Sequence, residues 1–169
     1  PQTLWKIDDM ALWGCEKIKK LELTSKISSV GSYVFRDCKA LEEIIVVPEN
    51  TYFKSVDGIL YEKKKYMRMM VCPAMKQGIV TVADGMHEIG TEAFHDCKYV
   101  TEVRLPESLE TINSSAFEGC SALEKIELPD NIEQIGMYAF EDCTALKSVK
   151  LPARLTDIDQ AVFAGCESL

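Results

Sequence analysis

Two kinds of segment are missing from this sequence of 169 residues: long apolar runs and concentrated basic stretches. No stretch approaches the roughly 18 to 20 continuous apolar residues that a membrane-spanning helix needs, which argues against membrane insertion of this chain. The formal net charge is −8, and the only basic run is Lys63-Lys64-Lys65. Because binding to a phosphate backbone needs a concentrated basic surface, the composition argues against nucleic acid as a partner.

The sequence also lacks the motifs that commonly carry catalysis or bind a metal. It contains no G-x-S-x-G, H-E-x-x-H, Walker or dinucleotide-binding pattern, and no C-x-x-C pair. Its only histidines, His87 and His95, fall in slots that are expected to face outward, where ordinary surface residues are the favoured interpretation. We therefore predict a non-enzymatic chain with no catalytic residue, no cofactor and no metal site.

The seven cysteines, in contrast, follow a regular spacing. Steps of 23 residues join Cys15 to Cys38, and they also join the series Cys97, Cys120, Cys143 and Cys166. A fixed period of this length indicates an internal repeat rather than a disulfide framework. The in-phase cysteines are predicted to be reduced thiols inside the core, where a free cysteine acts as a small hydrophobe. Cys72 is out of phase, and we predict that it is the most reactive of the seven.

Apolar residues recur at fixed distances from these cysteines. Three residues before them stand Leu12, Phe35, Phe94, Phe117, Phe140 and Phe163. Segments such as Ile126-Glu127-Leu128, farther along each unit, alternate apolar and polar residues as a strand does. The Ala-Phe half of each unit is predicted to form one or two helical turns, which end at a left-handed Gly or Asp before the cysteine.

The repeat predicts an α/β solenoid that forms a single domain over residues 1–169. Each unit is expected to add one strand to one parallel sheet, with the helical turns on the opposite side, and neighbouring units bury each other's apolar faces. Cys38 and Cys97 lie 59 residues apart, which is two repeats plus 13, so an insertion is predicted at about residues 50–78. Within it, Ile59–Tyr61 and Tyr66–Val71 flank Glu62–Lys65, which indicates a β-hairpin with a charged tip.

The repeated unit resembles a known family. The segment Ile135–Pro152 is similar to the BspA-like leucine-rich repeat, with its I-G-x-x-A-F-x-x-C-x-x-L-x-x-I-x-L-P pattern, and Val56–Tyr61 resembles that family's V-D-G-x-L-Y hairpin. The match extends over nearly the whole chain. The resemblance implies a right-handed leucine-rich-repeat superhelix in a secreted or cell-surface microbial protein associated with adhesion. It carries over no catalytic residues and names no ligand.

Outward strand positions would form the most regular surface for a ligand. They lie five and seven residues after the cysteines: Lys20, Glu22, Glu43, Ile45, Glu102, Arg104, Lys125, Glu127, Ser148 and Lys150. Because Arg104, Glu127 and Lys150 alternate in sign along the stack, a solvated charge ladder is favoured over a ligand site. No aromatic residue occurs among them, which leaves recognition by the hairpin open.

Two functional hypotheses remain, beside a disfavoured third that the chain is an enzyme. In the first, the chain is an extracellular module that binds a protein or glycan ligand through its strand face or hairpin. In the second, it is a structural spacer with no ligand of its own. Both ends of the sequence stop within a repeat, and a truncated natural chain is favoured over end-to-end self-association through uncapped repeats.

Overall fold

The computed structural model describes residues 3–63 and 67–169. Within those ranges the chain forms no helix, and it winds through successive coils built from short strands and turns. In chain order the strands are β1 (Lys6–Ile7), β2 (Lys20–Leu23), β3 (Ser29–Val30), β4 (Glu43–Val46), β5 (Phe53–Val56), β6 (Ile59–Glu62), β7 (Arg68–Val71), β8 (Gln77–Thr81), β9 (Glu88–Ile89), β10 (Tyr99–Arg104), β11 (Thr111–Ile112), β12 (Lys125–Glu127) and β13 (Gln134–Ile135). The architecture is therefore a β-solenoid rather than an α/β solenoid.

The coils contribute strands on two sides of the solenoid. Before the cysteine of each coil, β1 pairs with β3, and β9, β11 and β13 pair in order, all in parallel. After the cysteine, β2 pairs with β4, and β8, β10 and β12 pair in order, again in parallel. The prediction of one parallel sheet is wrong, because the short segment before each turn, such as Gln134–Ile135, also forms a ladder.

The predicted helical turns are also wrong, and the backbone hydrogen bonds show why. Phe117 N–H donates to the Ala139 carbonyl at 2.7 Å, and Gly119 N–H donates to the Glu141 carbonyl at 2.8 Å, both in the next coil. A helix would need these donors for bonds within its own segment. Ser115, with φ of 55°, interrupts the segment with a left-handed residue, a conformation that also occurs at Gly119 as the sequence predicts.

Aromatic rings and thiols form two columns along the regular coils. The rings of Phe94, Phe117, Phe140 and Phe163 stack with centroid separations of 4.7, 5.0 and 5.4 Å. The thiol of Cys120 donates to the Phe94 carbonyl of the preceding coil at 3.1 Å, and the thiol of Cys143 does the same to Phe117 at 3.2 Å. The cysteine slot therefore requires a small buried side chain that also supplies a weak donor.

Two apolar cores share strand β6. Leu60 packs into the core of the first coils with Leu23, whereas Ile59 and Tyr61 pack into the core of the later coils with Val80. Successive side chains of a strand point to opposite faces, so a strand that is buried on both faces can separate two cores. Strand β6 pairs with β5 and β7, both antiparallel, and β7 then pairs in parallel with β9. Of the predicted hairpin, Lys64, Lys65 and Tyr66 lie outside the described residues.

Asn50 marks the point at which the chain leaves the solenoid. It lies 23 residues after Ile27, in a slot where regular coils have a core Ile or Leu. Its Nδ2 donates to the carbonyls of Thr24 and Ile27, both at 2.8 Å. Its Oδ1 accepts from the N–H groups of Tyr52 and Phe53 at 2.9 and 2.8 Å. The buried amide thus closes one coil and begins the antiparallel strands.

The coil that contains β7 is shorter than its neighbour. Met69 is in register with Ile89, and Cys72 N–H donates to the Ala93 carbonyl, as Phe94 N–H donates to Ala116 in the following coil. Cys72 therefore occupies a phenylalanine slot. Two residues lie between Met69 and Cys72, whereas four residues lie between Ile89 and Phe94, the equivalent positions of the next coil. This two-residue deletion places Cys72 out of phase and removes one left-handed turn.

Candidate functional site

The predicted strand face is present, but it is divided. Eight of the ten predicted residues are exposed, while Glu43 and Glu102 are half-buried. Strands β2 and β4 carry Lys20, Glu22, Glu43 and Ile45, whereas β10 and β12 carry Glu102, Arg104, Lys125 and Glu127. Ser148 and Lys150 lie outside the assigned strands. The two strand pairs belong to separate sheets, so these residues do not form one continuous surface.

Charges on this face pair mainly along strands rather than between them. Arg104 Nε lies 2.8 Å from Glu102 Oε1, and Lys125 Nζ lies 2.9 Å from Glu127 Oε1. The hydrogen bond from Lys125 lowers the pKa of Glu127. Lys20 and Glu43 do pair across β2 and β4. Arg104, Glu127 and Lys150 alternate in charge from coil to coil as expected. However, Arg104 and Glu127 form their ion pairs within their own strands rather than with each other.

A groove separates the two halves of the strand face. It has a volume of about 600 Å³ and is lined by β4, β8 and the turn between β5 and β6, including Glu43, Asp57, Gln77 and Ile79. Strand β4 lies at one edge of its sheet, and β8 lies at one edge of the β8–β10–β12 sheet. On the β4 side, Ile44 N–H donates to the Gly58 carbonyl and Val46 N–H donates to Ser55 Oγ, so of these two strand edges only that of β8 offers main-chain donors and acceptors to the groove. A second groove of about 420 Å³ lies over β10 and β12 and includes Arg104.

Large apolar side chains are exposed around the first groove. Ile79 and Tyr99 are each 53% exposed, and Ile45 is 40% exposed. Tyr99 is in register with Gln77 on the groove wall. The sequence interpretation identified Ile45 and noted no aromatic residue on the strand face. It missed Ile79 and Tyr99, because Ile79 follows the insertion and Tyr99 lies only two residues after its cysteine.

The shortened coil leaves a notch on the turn side of the solenoid. The notch has a volume of about 140 Å³ and is lined by residues 30–36 and Cys38, by the end of β7, and by residues 90–92 with His95. Arg36 reaches across it, where its guanidinium pairs with Glu92 and lies 3.7 Å from Glu118 Oε1. The same guanidinium lies 5.7 Å from the Trp13 ring centroid. The missing turn thus brings together charged residues that are far apart in sequence.

The two histidines occupy different environments. His87 is exposed and pairs with Glu110 at 3.1 Å, as expected of a surface residue. His95 is only 11% exposed in its side chain, and its Nδ1 lies 3.8 Å from Glu118 Oε1. Burial and the nearby Arg36 lower the pKa of His95. The prediction that both are ordinary surface residues is therefore wrong for His95, because the notch encloses its ring.

The seven cysteines match the sequence expectation except at Cys15 and Cys166 near the ends and at Cys72. Cys97, Cys120 and Cys143 are fully buried, whereas Cys15 is exposed because its coil packs on one other coil only. Cys72 is 4% exposed, which opposes the reactive role predicted for it. Its hydrogen bond with Cys97, together with burial, raises the pKa of the Cys97 thiol. Thiols with raised pKa values are poor nucleophiles at neutral pH.

Membrane insertion was argued against from the sequence. Across residues 3–63 and 67–169, the structure contains no apolar helix of membrane-spanning length.

Solved structures with the same fold come from bacterial proteins. A leucine-rich repeat protein from Eubacterium ventriosum superposes with a TM-score of 0.82 at 23% identity, over 89% of this chain and 41% of that one. The pneumococcal vaccine antigen PcpA gives 0.78 at 25% identity, over 87% and 42%. A leucine rich cell surface protein from Faecalibacterium prausnitzii gives 0.78 at 24%, over 100% and 51%. The chain thus spans about half or less of these proteins. A search of curated proteins found no match.

The repeat family matches on both sides of the antiparallel strands. Six copies of the BspA type leucine rich repeat region match residues 1–57 and 71–169. The unmatched residues include most of β6 and β7, where the structure departs from the regular coil. The resemblance found in the cysteine, phenylalanine and leucine slots is thereby confirmed. This chain belongs to the BspA type leucine-rich repeat family.

Proposed function

We propose that this chain is a non-enzymatic interaction module of a surface-exposed microbial protein, and that it binds a protein partner in the groove between β4 and β8. One observation carries the proposal: the edge of β8 borders a groove that is lined by Ile79, and Ile45 on β4 is also exposed. An extended segment of a partner can add to a sheet edge through main-chain hydrogen bonds, while apolar side chains supply contact area. Exposed Tyr99 offers an aromatic anchor of the kind that interfaces favour.

Surface location and adhesion belong to the same proposal. The structural neighbours include one protein described as a vaccine antigen and another described as a cell surface protein. A module on a cell surface would be positioned to meet proteins of a host or of neighbouring cells. The competing function is a structural spacer, which would bind no ligand in the groove or on the charged strand face.

The test measures binding of the purified chain to immobilised extracellular-matrix proteins and, in parallel, to a glycan array. We expect binding to at least one matrix protein. The Ile79→Lys variant should bind more than about tenfold more weakly, because the complex would bury a lysine charge where it now buries an apolar side chain. Met137→Lys is the matched control, because Met137 is also an exposed apolar residue but lies on the turn side.

A second variant separates the groove from the charged strand face. The double reversal Arg104→Glu with Glu127→Lys should change affinity by less than Ile79→Lys does, because these exposed charges already pair within their strands. A larger loss in the double reversal would move the site to the charged face. Binding to glycans alone would contradict a protein ligand, and binding to neither panel would favour the spacer.

Self-association is measured on the same samples. End-to-end pairing of the terminal coils stays a prediction, and light scattering of the wild-type chain over a range of concentrations tests it. A mass that does not rise with concentration would exclude it.

A further inference from the structure

The notch holds a set of side chains whose chemistry suits a metal ion. One carboxylate oxygen of Glu92, one ring nitrogen of His95 and one carboxylate oxygen of Glu118 lie within 4.8 Å of one another. A second set, Asp37, His95 and Asp96, meets the same criterion and shares the histidine. Imidazole nitrogens and carboxylate oxygens both coordinate Zn²⁺, and a solvent molecule can complete a site with three protein ligands.

Burial distinguishes this cluster from ordinary surface acids. The side chain of Glu92 is only 6% exposed, and its Oε2 is buried with no hydrogen-bond partner among the described residues. The Nδ1 atom of His95 is buried and lacks a hydrogen-bond partner in the same part of the chain. Buried polar atoms normally have partners, and these two neighbouring atoms are in a position to coordinate an ion.

We propose that Glu92, His95 and Glu118 form a binding site for a single divalent transition-metal ion of the zinc class. The site has the charge that such an ion needs: the two carboxylates outweigh the nearby Arg36 guanidinium, and Asp37 and Asp96 add further negative charge at the same ring. The proposal is independent of the groove between β4 and β8.

Arg36 acts as the internal competitor of the metal. Its guanidinium contacts Glu92 and lies 3.7 Å from Glu118, so it neutralises the same two carboxylates. The Trp13 ring, 5.7 Å away, and the Asp37 carboxylate beside it offer the guanidinium an alternative position on the rim of the notch. Metal binding would therefore move Arg36 outward, and the ion would link the ligands of two successive coils, those of Glu92 and Glu118.

Isothermal titration of the full chain with Zn²⁺ tests the proposal. The titration uses a Cys15→Ser background, because Cys15 is the exposed thiol. We expect one ion per chain, a loss of more than about tenfold in affinity for Glu118→Gln, and a similar loss for His95→Gln, since each removes one of three ligands. His87→Gln is the matched control and should leave binding unchanged, because His87 lies outside the cluster and pairs with Glu110.

Two further measurements distinguish this site from nonspecific binding. Arg36→Met should bind Zn²⁺ more tightly than the parent chain, because the competing charge is gone and the aliphatic stem remains. The spectrum of the Co²⁺ complex should show no thiolate charge-transfer band. No binding, equal affinity in Glu118→Gln, weaker binding in Arg36→Met, or a thiolate band would each overturn the proposal. Circular dichroism of Glu118→Gln, a near-isosteric change, confirms that loss of binding is not loss of fold.

Discussion

The regular coils from Cys97 onward and the junction around β6 differ in both backbone geometry and side-chain chemistry. In the regular coils, identical slots hold phenylalanine, cysteine and leucine, and each residue packs on its counterpart in the next coil. At the junction, Asn50 takes an aliphatic slot and Cys72 takes an aromatic one. Polar and charged groups gather there because backbone groups that lose a neighbouring coil need other partners.

The comparison shows how a repeat protein acquires individual sites. A uniform stack repeats the same backbone contour at every coil, so its coils differ only in their outward side chains. The two-residue deletion before Cys72 opens the notch, and the antiparallel strands open the groove between β4 and β8. Both candidate sites therefore follow from one interruption of the repeat.

The ring column of the regular coils should show the largest loss of stability. Phe117→Ala removes a fully buried ring that is stacked on both sides, and we expect the free energy of unfolding to fall by about 4 kcal/mol, the typical cost of such a truncation. Phe163→Ala is the control, because Phe163 stacks on one side only and is partly buried. Urea unfolding measures both. Equal losses would mean that the column is not a cooperative element of the core.

At the junction, the loss of hydrogen bonds rather than of packing should lower the free energy of unfolding. Asn50→Leu restores the residue type of the regular coils but leaves two buried carbonyls and two N–H groups without the amide, so we expect a loss of about 3 kcal/mol. Asn113→Ala is the control, because that amide donates one partly buried hydrogen bond to Ile89, and it should cost about 1 kcal/mol. A stabilising effect of Asn50→Leu would show that packing outweighs these bonds.

The sequence predicts the regular coils well because one physical requirement repeats in them. The phenylalanine, cysteine and leucine slots face a shared interior, and their 23-residue period identifies the family and the inward thiols. Helical turns were predicted because Ala-Phe segments are compatible with a helix, and the sequence does not show that alternate N–H groups bond to the next coil. For the same reason, the sequence predicted one parallel sheet where the structure has strand ladders on two sides of the solenoid.

The candidate sites could be predicted only in part. The outward charges of the strand face were found, since their slots repeat, but the division of that face depends on where β5 and β6 fold back. Comparison of its slot with those of the other coils predicts a surface residue at His95. Only the deletion beside Cys72, which changes the phase by two residues, brings Arg36 and Glu92 around it.

The thiol column should make the protein sensitive to alkaline pH. Burial raises the pKa of Cys120 well above its usual value, and the same holds for Cys143. In the unfolded chain these thiols titrate near pH 8.5, so above that pH the unfolded state binds fewer protons than the folded state. Stability is therefore complete below about pH 8 and is lost as the pH rises, by up to about 1.4 kcal/mol per pH unit for each buried thiol.

Single cysteine variants divide this pH dependence between the two regions. Cys120→Ala should reduce the slope of unfolding free energy against pH between about pH 9 and pH 10 by one proton. Cys15→Ala, in contrast, should leave it unchanged because that thiol is exposed. Nearer the junction, Cys97→Ala should reduce the slope as Cys120→Ala does, because the contact with Cys72 and burial raise the pKa of Cys97. Urea titrations at several pH values measure these slopes, and identical slopes in all variants would show that buried thiols do not control alkaline unfolding.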